Sequence, residues 1–103
     1  MKLPVKDPAE LKLVRFEFSS EIEAGQTIAS VTVTNQVLEG TDPAVASMLV
    51  GVPQIDNTNL YVLQRVDLGV DGCDYLLRAL ATDSAGLKHL VYATLSVRIP
   101  QHT

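Results

Sequence analysis

The stretch Asp71-Gly72-Cys73-Asp74-Tyr75-Leu76-Leu77 decides which fold the sequence predicts. Asp-Gly is a dipeptide typical of turns, because glycine accepts backbone angles that other residues avoid. The residues from Tyr75 to Thr82 have the composition of a strand, in which side chains two positions apart share a face. The stretch therefore predicts a turn that leads directly into a strand, with an inward face formed by Tyr75, Leu77, Ala79 and Ala81.

Further strands are predicted on both sides of this segment. Val14 to Phe18 alternates apolar residues with charges, and Thr27 to Thr34 is rich in β-branched residues. Short apolar runs follow at 47–50, 60–68 and 90–99, and turns that contain glycine or proline separate them. No segment longer than one turn has helical periodicity. The chain is therefore predicted to be all-β, a sandwich of about seven antiparallel strands in two sheets.

Two details of this pattern can be checked against a structure. The strand at 47–50 is expected to end at Gly51 and Pro53, because both residues are poor strand formers. In the run 60–68, Val62, Val66 and Leu68 are expected to share one face.

The position of Tyr75 narrows the class of sandwich. In immunoglobulin-like domains a tyrosine at the start of a strand, just after a turn, buries its ring while its hydroxyl binds backbone a few residues upstream, an arrangement called a tyrosine corner. Tyr75 has this placement, and Gly72 forms the turn before it. The prediction is an immunoglobulin-like sandwich with a structural corner at these two residues. The alternative is that Tyr75 is an ordinary strand residue, since tyrosine favours strands.

The first eleven residues differ from the rest of the chain. They contain Pro4 and Pro8 and show little periodicity, so residues 1–11 are predicted to form an extended arm and residues 12–103 the sandwich domain. A single helical turn beginning at Pro8 and capped by Asp7 is compatible with the arm. The length of 103 residues fits one domain.

Composition and charge limit the classes of partner. The chain is 47% hydrophobic and 19% charged, with a net charge of −4 and with its eight basic residues scattered. A nucleic-acid partner is not expected, because phosphate binding needs a clustered positive field. No segment has the apolar length of a membrane span or a signal peptide, so no membrane association is expected. The single cysteine excludes an intrachain disulfide and favours folding in a reducing compartment such as the cytoplasm.

The sequence offers few groups for catalysis. His89 is expected on the exposed start of the last strand, and His102 lies next to the C-terminus. Cys73 is expected to be a turn residue or a half-buried small side chain. A reactive thiol is not expected, since the neighbouring carboxylates of Asp71 and Asp74 disfavour a thiolate. Without a nucleophile, a base and an orienting group in proximity, the chain is predicted not to be an enzyme.

No metal or cofactor is expected either. Asp67, Asp71 and Asp74 could in principle gather around calcium, but their spacing does not match a calcium loop, and Gly69 and Gly72 explain the turn without an ion. The other candidates for ligand binding are exposed aromatic rings, at Tyr61 and Tyr92, for which ordinary surface positions are the simpler interpretation.

Several turn and core motifs follow one another over nearly the full chain: Lys6-Asp7-Pro8, Gly25-Gln26-Thr27-Ile28, Gly40-Thr41-Asp42-Pro43, Met48-Leu49-Val50-Gly51, Val62 through Val66, Gly72 through Arg78, and Ser84-Ala85-Gly86. Their order resembles that of small immunoglobulin-like proteins of tailed bacteriophages and prophages, which include fiber-tail adaptor and head-tail structural proteins. The sequence departs from that family where Glu17-Phe18 stands in place of a frequent Asp-Trp pair, so any contact of that tryptophan has no counterpart here.

The resemblance implies a virion structural protein of the tail or neck, or a fiber-tail adaptor, assembled in the cytoplasm of the bacterial host. Its partners would be other phage structural proteins, and the chain would occur in several copies in the particle while being a monomer or a homo-oligomer alone. The arm would then be a candidate for docking into a neighbouring subunit through Leu3, Pro4 and Val5. A frayed terminus is the alternative.

A second function remains open beside the first. The chain could be a general immunoglobulin-like binding or adhesion module on a bacterial surface. That function predicts an export route and neighbouring repeats, and neither pattern is found in the sequence given.

Overall fold

Within the part of the chain that the structure describes, six β-strands form the domain. The computed structural model describes residues 2–99 of the chain. The strands are β1 (Lys12–Glu17), β2 (Ile28–Glu39), β3 (Leu49–Ile55), β4 (Tyr61–Val66), β5 (Asp74–Asp83) and β6 (Lys88–Ser96), and a 3-10 helix, Val45–Met48, precedes β3.

The strands lie in two three-stranded sheets, with the orders β1-β4-β3 and β2-β5-β6. Every pairing between them is antiparallel. With the N-terminal arm counted as the first strand, these orders are the B-E-D and C-F-G arrangements of an immunoglobulin-like sandwich. The predicted all-β sandwich is therefore confirmed, and the arm stands in the place of a seventh strand.

The core lies between the two sheets and follows the two-residue period. In β5 the side chains of Tyr75, Leu77, Ala79 and Ala81 are all fully buried, as the alternation predicted. The opposite sheet supplies Val14, Phe16, Val62 and Val66, and Phe18 closes the core just after β1. The small alanines of β5 and the large rings of Phe16 and Phe18 belong to the same packed core.

The arm runs alongside β6 in the parallel direction. Isolated bridges pair Lys2 with Thr94 and Lys6 with Val97. The backbone N–H of Leu3 donates to the Thr94 carbonyl at 2.9 Å, and that of Lys6 donates to the Ser96 carbonyl at 2.9 Å. The arm therefore covers the C-terminal half of the β6 edge.

Two expectations about strand ends were wrong. The strand predicted at 47–50 begins later, because Ser47 and Met48 belong to the 3-10 helix, and it runs through Gly51 and Pro53 to Ile55. Pro53 is tolerated because β3 is an edge strand whose register with β4 shifts between Val50 and Gln54.

The second correction concerns the end of β4. The strand stops at Val66, so Leu68 does not share the buried face of Val62 and Val66. Leu68 is 49% exposed and has a φ of 58°, in the left-handed region that non-glycine residues seldom adopt. The chain turns at this point, and the alternation of the strand no longer applies.

Candidate functional site

Tyr75 anchors the turn that precedes β5. Its ring is fully buried, and its hydroxyl accepts a hydrogen bond of 2.9 Å from the backbone N–H of Val70, five residues upstream. This is the hydrogen bond that defines a tyrosine corner. Because burial removes solvent from the hydroxyl, the pKa of Tyr75 lies well above its usual value.

The tyrosine hydroxyl has a second partner that the sequence did not indicate. It donates to Oδ2 of Asp42 at 2.8 Å, across 33 residues of chain. Asp42 lies in the loop between β2 and the 3-10 helix, where its Oδ1 accepts from the N–H of Ala44 at 2.9 Å. The corner therefore ties that loop to the start of β5. Sequence patterns did not indicate this pair, because Gly40-Thr41-Asp42-Pro43 is typical of an ordinary turn and Tyr75 is distant in the chain.

Gly72 and Cys73 occupy the turn predicted for them. Gly72 has a φ of 91°, and its N–H donates to the carbonyl of Val97 at 2.9 Å. Cys73 is buried at 2% exposure, and its Sγ lies 3.6 Å from the carbonyl oxygen of Thr41. The thiol is therefore a core group, buried more deeply than the half-buried turn side chain that was expected.

The three predicted docking residues of the arm have different surroundings. Leu3 is half-buried and packs against the chain's own core. Pro4 is exposed, and Val5 is 57% exposed. A cleft of about 280 Å³ lies beneath Leu3 and Pro4 and reaches the core side chains of Val66 and Leu95. Leu3 thus belongs to the interior of this domain, while Pro4 and Val5 face solvent.

Lys6 holds the arm against the domain, a role that no sequence pattern indicated. Its side chain is buried, with the residue 1% exposed. The Nζ donates to the carbonyl oxygen of Leu68 at 2.6 Å and to that of Asp7 at 3.0 Å. Desolvation lowers the pKa of Lys6, and the nearby charge of Asp67 opposes that effect.

His89 is not the free surface residue that the sequence predicted. Its Nε2 lies 2.8 Å from Oδ2 of Asp83, and the His89 side chain is only 16% exposed. Asp83 is buried, and its Oδ1 accepts from the N–H groups of Ala85 and Leu87 in the β5–β6 turn. The hydrogen bond from His89 holds the pKa of Asp83 below its usual value. The pair of His89 and Asp83 therefore stabilises the β5–β6 hairpin. The other histidine, His102, lies outside the described residues.

The three aspartates of the corner region serve separate partners. Asp67 accepts from the N–H of Leu68 at 2.8 Å, Asp71 accepts from the N–H of Ile99 at 2.8 Å, and Asp74 receives the guanidinium of Arg98 at 2.9 Å. Within residues 2–99 there is no group of three or more histidine, cysteine or acidic side chains placed to hold a metal ion.

An apolar and basic surface covers the outside of the β1-β4-β3 sheet. We call it the outer face; it consists of Leu13, Arg15, Val50, Val52, Leu63 and Arg65. The register places Leu13 beside Arg65, and Arg65 beside Val50. Leu13 is 60% exposed and Val52 is 74% exposed. A shallow concavity of about 590 Å³ lies between them.

The outer face contains both arginines of the β1-β4-β3 sheet, and an exposed carboxylate, that of Glu17, lies at one end of it. Arg15 and Arg65 are exposed in a chain whose net charge is −4, and Glu17, which is also exposed, lies beside Tyr61 on the same side of β1. The guanidinium of Arg15 stacks on the ring of Tyr61 with its carbon 3.9 Å from the ring centre, which keeps it near the sheet. Sequence reasoning missed this face because it requires the alignment of three strands that are distant in sequence.

Comparisons with known proteins add no further guide to function. No protein-family model, curated protein or solved structure matches this chain. Among the described residues, no helix has the length and apolar character needed to cross a membrane.

Proposed function

We propose that this chain is a structural component of a bacteriophage or prophage particle, placed at the tail or neck or in a fiber-tail adaptor, and that it works by protein–protein assembly. The phage assignment rests on the resemblance of its turn and core motifs. The role in protein–protein assembly rests on the exposed apolar side chains of the outer face, and this observation is the main support for the proposal. In this proposal the chain catalyses no reaction and is located in virions assembled in the host cytoplasm.

The exposure of the outer face supports a binding role. Scattered apolar residues on a surface need no explanation, but neighbouring ones across three strands do. Leu13, Val50 and Val52 are all among the exposed large hydrophobic residues and line one concavity together with Leu63. Burial of such a patch against a partner releases water from apolar surface, at about 25 cal/mol for each Å².

The two arginines on the outer face define the kind of partner. Arg65 on β4 lies between Leu13 on β1 and Val50 on β3. A ligand that covers both apolar side chains must therefore also pair with the guanidinium between them. A carboxylate would pair with Arg65 through charge-assisted hydrogen bonds, and aliphatic side chains would cover the neighbours. The proposed partner is therefore an acidic protein segment that also presents apolar side chains.

The phage role is tested by asking whether purified particles contain this chain. In the organism whose genome contains the gene, induced particles would be banded on a density gradient and searched for this chain by mass spectrometry. The proposal predicts the chain in the particle fraction, and portal, capsid and tail genes beside its own. Absence from purified particles, or recovery from the cell surface, would contradict the phage role and favour the adhesion module.

The role of the outer face is tested in the same system. Leu13→Asp places a carboxylate beside Arg65 on the outer face, and we expect it to reduce incorporation into particles. The matched control is Leu80→Asp, since Leu80 is 41% exposed on the outside of the other sheet. Both variants must first show a cooperative thermal melt. Equal incorporation of the two variants would contradict a role for the outer face.

A further inference from the structure

The four sheet edges of the sandwich are protected to different extents. Unpaired backbone groups at a sheet edge are a template for pairing with another chain, so soluble proteins usually block them. The C-terminal half of β6 is covered by the arm, and its other half begins with Lys88. The β1 edge has only six residues and contains Lys12, Arg15 and Glu17. The β3 edge contains Pro53 and a shift in register. Three edges therefore carry a recognised form of protection.

The fourth edge, β2, has none of these features over most of its length. It is the longest strand, with 12 residues, and it lies at the edge of the β2-β5-β6 sheet. Residues 28–38 include no charged residue, no proline and no glycine. From Ser30 to Val37 the register with β5 is unbroken. Within residues 2–99, no backbone hydrogen bond outside the strand ladders involves positions 29 to 39.

The side chains of β2 show that this edge is also incompletely covered by the opposite sheet. Val31, Val33 and Val37 point inward but are only half-buried, whereas the inward residues of β5 are fully buried. Near the C-terminal end the 3-10 helix crosses the strand, where Asn35 donates to the Val45 carbonyl at 2.8 Å. The accessible and regular part of the edge therefore runs from Ser30, just after a register shift, to Thr34, and Ser30, Thr32 and Thr34 are exposed.

We propose that β2 is a strand-pairing surface and that its occupant is β2 of a second copy of this chain, bound antiparallel about a two-fold axis. The absence of charge is what favours a second copy. Two chains with a net charge of −4 repel each other, and residues 28–38 offer a strand that can be juxtaposed with itself without opposing like charges. Antiparallel pairing of one strand with its own copy is isologous, so a single patch serves both partners.

The covered edge of β6 explains why such an assembly would stop at two. Pairing through β2 joins two three-stranded sheets into one sheet of six strands, with β6 at each end. The arm hydrogen bonds to β6 through Leu3 and Lys6, so that edge is occupied at its C-terminal half. The product would be a closed dimer rather than a growing fibre. The inference concerns a different surface from the outer face and stands independently of the proposed function.

The first test uses the unmodified chain and needs no variant. Sedimentation equilibrium would be measured from micromolar concentrations to about 1 mM, so that a dissociation constant anywhere in this range is detected. Hydrogen exchange would then be compared between dilute and concentrated samples. We expect a monomer–dimer equilibrium and slower exchange in peptides from residues 28–39 of the dimer, with no change in β1. A monomer at every concentration, a continuing polymer, or protection elsewhere would overturn the proposal.

The second test places charge on the pairing edge. The double variant Thr32→Lys with Thr34→Lys brings lysines from two copies close together, and we expect the dissociation constant to rise about tenfold or more. The control is Ser20→Lys with Ala24→Lys, which adds the same charge at exposed positions in the loop before β2. Dimerisation that is equally affected in both double variants would show a general charge effect and overturn the assignment to β2.

Discussion

The ammonium of Lys6 donates a hydrogen bond of 2.6 Å to the carbonyl oxygen of Leu68, which is 62 residues away in the sequence. Leu68 has the strained φ of 58°, and Val70, two residues later, donates its N–H to Tyr75. The buried lysine of the arm and the buried tyrosine of β5 thus hold opposite ends of one short turn. The arm is consequently part of the folded domain and not an appendage of it.

The first prediction tests the buried lysine. Lys6→Met keeps the length of the side chain but leaves the Leu68 carbonyl without its donor. We expect a loss of about 1–3 kcal/mol in the free energy of unfolding, the usual penalty for an unsatisfied buried polar group. Urea denaturation measures this value, and native-state hydrogen exchange at Leu3, Lys6 and Arg98 should quicken in the variant. Lys88→Met, at an exposed position, is the control and should change neither.

The second prediction concerns the tyrosine hydroxyl. Tyr75→Phe retains the buried ring and removes both hydrogen bonds, leaving the Val70 N–H and the Asp42 carboxylate without this partner. We expect a loss of about 1–2 kcal/mol by chemical denaturation. Tyr61→Phe is the control, because the ring beneath Arg15 remains in place. If the two variants were equally stable, the corner would contribute nothing to the fold.

The third prediction is the pH dependence that follows from the raised pKa of Tyr75. In the unfolded chain a tyrosine loses its proton near pH 10, whereas the folded chain retains it to higher pH. The contribution of this group is therefore complete below pH 10 and is lost as the pH rises above it. The stability difference between the wild type and Tyr75→Phe should shrink by about 1.4 kcal/mol for each pH unit. Parallel stability curves for the two proteins above pH 10 would refute the linkage.

The fourth prediction separates backbone strain from crowding at two glycines of the corner. Gly69 and Gly72 both have positive φ values, 101° and 91°, so either substitution to alanine introduces strain of about 1–3 kcal/mol. An added Cβ at Gly69 would lie 2.8 Å from Cγ2 of Val97, whereas at Gly72 it would meet open space. Gly69→Ala should therefore lower the melting temperature more than Gly72→Ala. Identical melting temperatures would exclude a packing effect at Gly69.

Sequence reasoning succeeded where the structure is governed by local pattern. The alternation in β5 places Tyr75, Leu77 and Ala79 in the core, and the Asp71-Gly72 turn lies directly before that strand. The same pattern also gave the class of fold, because two sheets of amphipathic strands can bury their apolar faces only against each other.

The contacts that sequence reasoning missed depend on residues distant in the chain. A lysine in a polar arm is expected in solvent, and only the position of the Leu68 carbonyl gives it a buried partner. Gln64 is a second example, since it is 1% exposed within β4 and its Nε2 donates to the carbonyl of Val50 at 3.2 Å. The Val50 carbonyl lies where the register between β3 and β4 begins to shift. Such a shift cannot be predicted from the sequence of one strand, because it depends on how two strands pair.

The parallel alignment of the arm with β6 has a mechanical consequence. If the two ends of the chain are pulled apart, the arm and β6 are drawn in opposite directions along a common axis. The bonds from Leu3 to Thr94, from Lys6 to Ser96 and from Arg98 to Lys6 are then loaded together in shear. They cannot open one after another, as they would in a hairpin peeled from its end. Separation of the arm from β6 by such a pull therefore requires several hydrogen bonds to break at once.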